Sequence, residues 1–353
     1  MNTVRATALS AIAIVAIGCG DKDLDTAPPC EVGIDETFPA AGSTNAYYRA
    51  ELEAHLTDSD PTATISVDGR NGTSWLNEDQ DVVYFTPDEP FDPNTDYTFT
   101  VSYCRGEAPV SFRTNDLGTE LVDQTALLGN VYNLNLQDGR VVVPEGVGSV
   151  LEQYLEVQIL IKVANVDADY LLMYGALADE DDPTFQDYCT ETMDFPEAEF
   201  VDSPFFLIGP ADTTISVGGY SVTIDQLEIS GTFSSDGSYW GGGVLAGSVD
   251  TRALMSLVGD DAEDSAVCDL VAGFGVSCVI CVEDGEPYCL EIKAVDLGGE
   301  LLSNDIEQIA LEKCHASCDD TCEDTDGDGV YDQFNNAECD LDFEETCPPP
   351  EEG

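Results

Sequence analysis

Between about residues 30 and 300 the chain is a succession of short runs in which apolar and polar residues alternate, each closed by Gly, Pro, Asn or Asp. Alternation puts one set of side chains on each face of an extended segment, the period of a half-buried antiparallel strand. From about Cys30 to Asp116 the runs have the spacing of a small sandwich. Val82–Pro87 reads as a strand ending at a proline, Tyr97–Tyr103 as a second, and Val110–Thr114 as the closing one, while Gly69 to Asp81 has no clean strand pattern.

The pattern resumes over about 117–300. Val131–Leu136 and Val141–Val143 flank Asp138-Gly139, a hairpin signal. Leu155–Val163, Ile215–Val217, Val222–Ile229 and Thr232-Phe233 continue as strands, with Gly218-Gly219 and Asp236-Gly237 as turns. Thr251–Leu257 and Ala266–Ala272 read as short helices, followed by a strand pair, Cys278–Val282 and Tyr288–Val295, turning at Asp284-Gly285. The predicted fold class is mainly β: a sandwich, then a second antiparallel sandwich or open barrel with a short helical insertion. Beyond it, Asn304-Asp305-Ile306-Glu307 has the form of a capping box, and Ile306, Ile309, Ala310 and Cys314 recur at helical spacing, which predicts a helix over about 304–322 and then an acidic tail.

The first unit resembles the bacterial Ig-like domains of the SbsA type, first described in S-layer proteins. The likeness is carried by Phe38-Pro39-Ala40-Ala41-Gly42-Ser43-Thr44-Asn45, by Phe85-Thr86-Pro87 followed by Phe91-Asp92-Pro93-Asn94-Thr95-Asp96-Tyr97-Thr98, and by Phe112-Arg113-Thr114. It implies a spacer or contact module on an extracellular protein and no chemistry.

Before the first unit, Ala8–Ile17 is an apolar run about half as long as a bilayer-spanning helix, preceded by Arg5, which reads as a cleaved export signal. Ala16-Ile17-Gly18-Cys19 resembles the lipobox of bacterial lipoproteins. The resemblance implies cleavage before Cys19, its lipidation, and an effectively permanent membrane anchor. Gly20 in the following position implies the outer rather than the inner membrane. Asp21 to about Pro29 is a polar tether. The resulting order is a signal over 1–18, a lipidated cysteine and tether over 19–29, an Ig-like unit over 30–116, a β-rich unit over 117–302, a cysteine-bearing helix over 303–322 and an acidic tail over 323–353.

Charge then narrows the partners. The chain carries 71 acidic and 11 basic residues, a formal net charge of -60, and removing the signal with its one arginine makes this -61. Nucleic acid and anionic lipid are excluded as partners, because so few cations cannot neutralise phosphates. At 43% hydrophobic residues the chain nonetheless builds a core. The acidity reads either as a solvated, salt-tolerant surface or as divalent-cation binding.

Thirteen cysteines become twelve once Cys19 is assigned to lipid, and an exported chain holds them as disulfides. Cys30 and Cys104 stand alone in the first unit and are expected to pair. Cys268, Cys278, Cys281 and Cys289 form a local set able to supply two bridges. Cys278-Val-Ile-Cys281 lacks histidine partners at ligand spacing, so a disulfide role is preferred to zinc. On the predicted helix Cys314, Cys318 and Cys322 point along parallel directions and need outside partners, leaving Cys189, Cys339 and Cys347, a staple between the second unit and the tail.

The strongest site signal is Asp324-Thr325-Asp326-Gly327-Asp328-Gly329-Val330-Tyr331-Asp332. Oxygen ligands at positions 1, 3, 5 and 9, a glycine at 6 and a carbonyl at 7 suit Ca²⁺. Bracketed by Cys322 and Cys339, it resembles a thrombospondin type 3 calcium repeat. That likeness implies side-chain ligands at Asp324, Asp326, Asp328 and Asp332 and a backbone ligand at Val330, with Asn335 at position 12 a neutral, weaker ligand. A weak structural Ca²⁺ site near about 10⁻⁴ M is expected.

Neither His55 nor His315 has the setting of a catalytic base, and no Gly-x-Ser-x-Gly elbow is present. Gly241-Gly242-Gly243 has no following Lys-Ser/Thr, so a bulge or twisted strand is preferred to a phosphate loop. Tyr239 and Trp240 read as core residues or as an exposed glycan platform. These features point to a non-enzymatic envelope lipoprotein that binds a surface glycan or protein partner. The alternative is a secreted hydrolase whose paired carboxylates lie in the second unit.

Overall fold

A computed structural model describes residues 30–136, 139–144, 158–179, 182–188, 190–217, 220–255, 263–282 and 284–309. Seven strands build the first body: β1(Ile34–Phe38), β2(Leu52–Leu56), β3(Thr64–Val67), β4(Gly72–Leu76), β5(Val82–Pro87), β6(Asp96–Tyr103) and β7(Gly106–Arg113). They form two antiparallel sheets, β1-β2-β5-β4 and β3-β6-β7. Leu52, Ala54, Val83 and Phe85 from one sheet and Ile65, Phe99, Val101 and Phe112 from the other fill the space between. Alternation along each strand is what supplies these inward rows. β4 falls in the stretch without a clean pattern, and it is an edge strand whose residues are exposed or half-exposed, so no buried row marks it in sequence.

The second body contains β8(Val131–Asn135), β9(Arg140–Val143), β10(Gln158–Val166), β11(Tyr170–Leu177), β12(Met193–Asp194), β13(Ala198–Glu199), β14(Phe205–Val217), β15(Tyr220–Phe233), β16(Tyr239–Asp250) and β17(Cys289–Leu302). Pairing runs β10-β8-β17-β16-β15-β14-β13-β11, and β11 returns to β10. The ring of eight strands closes, which removes its sheet edges. Its interior is packed: Leu134, Leu171, Phe200, Phe206, Phe233 and Trp240 belong to one buried cluster. Such a barrel is a core and not a container.

Three local expectations are corrected. β8 and β9 do not pair as a hairpin; both lie along β17, with Tyr132 opposite Leu301 and Val141 opposite Ala294. They lie along successive stretches of β17, and β8 has its longer pairing, five residues, with β10 on its other edge. Cys278–Val282 contributes only the bridge of Val279 to Cys289 rather than a strand, its course being set by the bonds Cys268–Cys278 and Cys281–Cys289. Both expected helical stretches of the insertion are present: α1(Ala266–Ala272) forms, and Thr251–Leu254 is a 3-10 turn that leads into helical Met255, the rest of that stretch lying outside the described residues.

The third correction is the start of the expected C-terminal helix. Residues 305–309 form no helix and lie against the barrel. Ile306 is buried among Val131, Leu160, Tyr174 and Ala176, and its carbonyl accepts from Lys162 Nζ at 2.9 Å and Tyr174 Oη at 2.8 Å. Gln186 exchanges two hydrogen bonds with the backbone of Glu307, and Thr192 does the same with Ile309. Backbone groups satisfied in this way by side and main chain of the barrel have no need of helical partners. The remainder of that helix lies outside the described residues.

Candidate interface and binding surface

The outer face of the β1-β2-β5-β4 sheet carries a row in which Phe38 stands opposite Glu53, Glu53 opposite Tyr84, and Tyr84 opposite Trp75. Directly opposed residues share a face, so the four side chains form one band across the sheet. The two ends of this band have different fates.

At the Phe38 end the band meets the barrel. Arg140 of β9 donates to Glu53 through both terminal nitrogens, at 2.9 and 3.2 Å, while its guanidinium lies 4.0 Å from the Phe38 ring centre. Its Nε lies 3.6 Å from Asp296, an ion pair too long to be a hydrogen bond. Glu53 is buried, and His55 Nε2 stands 3.2 Å from its second oxygen. Burial alone would raise the Glu53 pKa; the bonds from His55 and Arg140 outweigh it and hold the carboxyl below its ordinary value. The hydrogen bond to Glu53 pushes His55 the other way, above its ordinary value.

A second contact joins the bodies through Tyr47-Tyr48-Arg49. Tyr47 Oη and the fully buried Thr232 hydroxyl lie 2.7 Å apart. Arg49 donates to Tyr48 Oη at 3.0 Å and to Asp202 at 3.3 Å, and stacks 4.0 Å over Phe205. Burial drives the Tyr47 phenol well above its ordinary range, so it stays a neutral hydrogen-bonding group. Gly242 answers to this contact: its φ is +63°, and a Cβ would stand 2.1 Å from the Tyr47 ring. The glycine run is thus a bulge in β16, with register shifts on both flanks, that admits the sandwich's tyrosine.

Trp240 is buried at 3% exposure against Phe206 and Gly231, which settles its role as core. Tyr239 is half-exposed but its hydroxyl donates to Asp116 at 2.7 Å, and burial with that carboxylate pushes its pKa up to about 12. The exposed tryptophan is the other one. At 44% exposure Trp75 stacks on Tyr84 with ring centres 4.2 Å apart and planes inclined by 14°. Its Nε1–H points to Thr86 Oγ1 at 3.3 Å, and the Thr86 hydroxyl donates to Glu51.

Two further surfaces stand out. A shallow groove of about 570 Å³ over β6 and β7 is lined by Ser43, Thr44, Asp68, Thr98 and the Arg113–Asp96 ion pair. The insertion between β16 and β17 exposes Leu270, Phe274, Ile280 and Val282 on a knuckle stapled by two disulfides.

Among the sequence-derived site residues, Cys30–Cys104, Cys268–Cys278 and Cys281–Cys289 are bridged. Cys19, Cys189, Cys314, Cys318, Cys322, Cys339 and Cys347 lie outside the described residues, as do Asp324, Asp326, Asp328, Val330, Asp332 and Asn335. Among the described residues no group of three His, Cys, Asp or Glu side chains could hold a metal ion. Sequence reasoning missed Arg140, Glu53, Tyr47 and Trp75. For the arginine a signal existed: bases are scarce here, and six of the eight described ones, Arg49, Arg70, Arg113, Arg140, Lys162 and Arg252, are ion-paired.

No family model and no curated protein matches the chain. Solved structures overlap it only in part. An L,D-transpeptidase from Mycobacterium smegmatis shares 12% identity over 56% of this chain and 76% of its own, with a TM-score of 0.24. The LD transpeptidase LdtMt1 in complex with imipenem shares 14% over 41% and 76%, with a TM-score of 0.20. Domains 4–9 of the surface layer protein SbsC share 10% over 62% and 28%, with a TM-score of 0.19. Overlaps of this size carry no argument about function.

Proposed function

We propose that this chain is a bacterial cell-envelope lipoprotein, held at the outer membrane or cell surface through Cys19, whose two β bodies act together as a non-enzymatic binding or scaffold module. The observation that carries the reading is the pairing of a packed barrel with a locked interface. The barrel interior is occupied by its own side chains, and Arg140–Glu53 with Tyr47–Thr232 fasten the sandwich to it. What such a body offers a partner is its outer surface. The tether of residues 20–29 supplies reach, and the tail from Asp324 to Asn335 holds a structural Ca²⁺ that relieves repulsion among the 14 acids of residues 319–353.

Metabolic labelling with a palmitate analogue, followed by membrane fractionation, tests the anchor. The native chain is expected to carry the label and sediment with membranes, and Cys19→Ala to lose both; an unlabelled native chain overturns the assignment. Calorimetry at about millimolar Ca²⁺ tests the tail, where a saturable heat lost in Asp326→Asn is expected and no heat refutes the site.

A further inference from the structure

The Trp75 end of the outer-face band is built differently from an ordinary exposed aromatic. One face of the indole is fixed on Tyr84 and its only polar group is directed to Thr86. An exposed side chain with its rotamer already held gives up little entropy when a ligand covers it. Register places a polar row directly beside this ring: Thr73 stands opposite Thr86 on the same face, and Thr86 is tied to Glu51. An apolar plane with hydroxyls and a carboxylate along one side has the shape of chemistry that recognises a sugar ring, whose axial C–H bonds make a flat apolar face and whose equatorial hydroxyls seek hydrogen-bond partners at the rim.

Charge then selects among sugars. Glu51 flanks the site and the chain carries a net -60, so uronic or sialic acids are repelled. We infer that Trp75, with Thr73, Thr86 and Glu51, forms a subsite for an uncharged, equatorially substituted pyranose of a β-linked glycan. Trp75 supplies the stacking plane; Glu51 and the two threonines take the hydroxyl edge. This rests on the binding role proposed above and names its ligand. The Trp75–Tyr84 stack also stabilises the sheet as a cross-strand pair, so the test must separate stability from binding.

The chain contains two tryptophans and Trp240 is buried away from solvent, so Trp240 gives a constant background and a sugar-dependent change in the emission of the purified full chain reports Trp75. Titration with cellotetraose and with chitotetraose is expected to shift the emission saturably at about millimolar sugar. Comparison of the two shows whether the N-acetyl group adds to the shared ring chemistry. Trp240→Phe should keep the response. Trp75→Ala, read by calorimetry, should weaken binding at least about tenfold. Trp75→Phe retains an aromatic pair on Tyr84 and should weaken it less, with an unchanged melting profile. A flat titration with both sugars, undiminished binding in Trp75→Ala, or equal binding of a galacturonic acid tetramer each overturns the subsite. Any of these with Cys19 lipidated leaves the anchoring role standing, whereas an unlipidated chain that still binds sugar removes the anchor and keeps the subsite.

Discussion

The sandwich is made of strands of four to eight residues around fifteen buried apolar residues, and Cys30–Cys104 ties its first residues to a point 74 positions on. The barrel runs four strands of 12 to 14 residues around a cluster of twenty-four, and both bridges described there lie in the knuckle, spanning 10 and 8 positions. A small body buries a lower share of its surface and leans on covalent closure, while a larger one is held by its core. The comparison teaches that disulfides in this chain serve two purposes: global stability in the sandwich and local shape in the knuckle.

Breaking the bridges is the most direct test. Replacing Cys30 and Cys104 together by serine removes closure of a long loop and is expected to cost about 4.5 kcal/mol, against about 2.5 kcal/mol for either knuckle bridge. Urea unfolding followed by fluorescence in a Trp240→Phe background, where Trp75 is the remaining tryptophan, should show the sandwich loss, and hydrogen exchange should confine the Cys268→Ser/Cys278→Ser loss to the insertion. Equal and global losses from both pairs would dissolve the distinction.

The next largest effect concerns what joins the bodies. Arg140→Ala leaves Glu53 buried with one charged partner fewer, a change expected to cost about 3 kcal/mol. It should also split thermal unfolding into two calorimetric transitions, since the sandwich and barrel then melt on their own terms. A single transition at the native temperature would mean that the Tyr47–Thr232 contact suffices. Gly242→Ala attacks that contact, and strain at φ +63° with the clash against Tyr47 is expected to cost about 2 kcal/mol. The comparison variant Gly275→Ala, at φ +88° with open space around it, should cost about 1 kcal/mol.

The contrast between the bodies also marks what was legible in sequence. Strands β5, β6 and β7 were readable because each buries alternate residues against the facing sheet, and Phe85, Phe99 and Phe112 announce that row. β4 was not, since an edge strand that leaves Trp75 exposed has no apolar period to detect. In the barrel the Asp138-Gly139 pair imitated a hairpin, because turn chemistry is local while the choice of β17 as common partner depends on residues at least 150 positions away. Residues 304–307 imitated a helix start for the same reason: the pattern cannot register that Gln186 and Thr192 wait to take the backbone groups. The Arg140–Glu53 latch spans 87 positions, and only the scarcity of bases hinted that this arginine mattered. The lipobox-like and calcium-type patterns are contiguous and so can be recognised in sequence as expectations, and both fall outside the described residues.

The smallest expected effect is the sharpest probe of the latch, since it sets one of its groups against the other. Glu53 is held below its ordinary pKa of 4.5, so its contribution to stability is complete above that value and is lost as pH falls through the depressed folded one. His55 is held above its ordinary 6.5, so its contribution is complete below 6.5 and fades as pH rises through the elevated folded value. The latch is therefore strongest between about pH 4.5 and 6.5. Melting temperature against pH should show a shoulder there, falling on both sides. His55→Gln is expected to remove the alkaline fall and keep the acid one, while Glu53→Gln removes both at once, because the carboxylate is the partner that raises His55. A profile in Glu53→Gln that retains the alkaline fall would show that His55 answers to Glu36 or another neighbour, and would reduce the latch to the Arg140 pair alone.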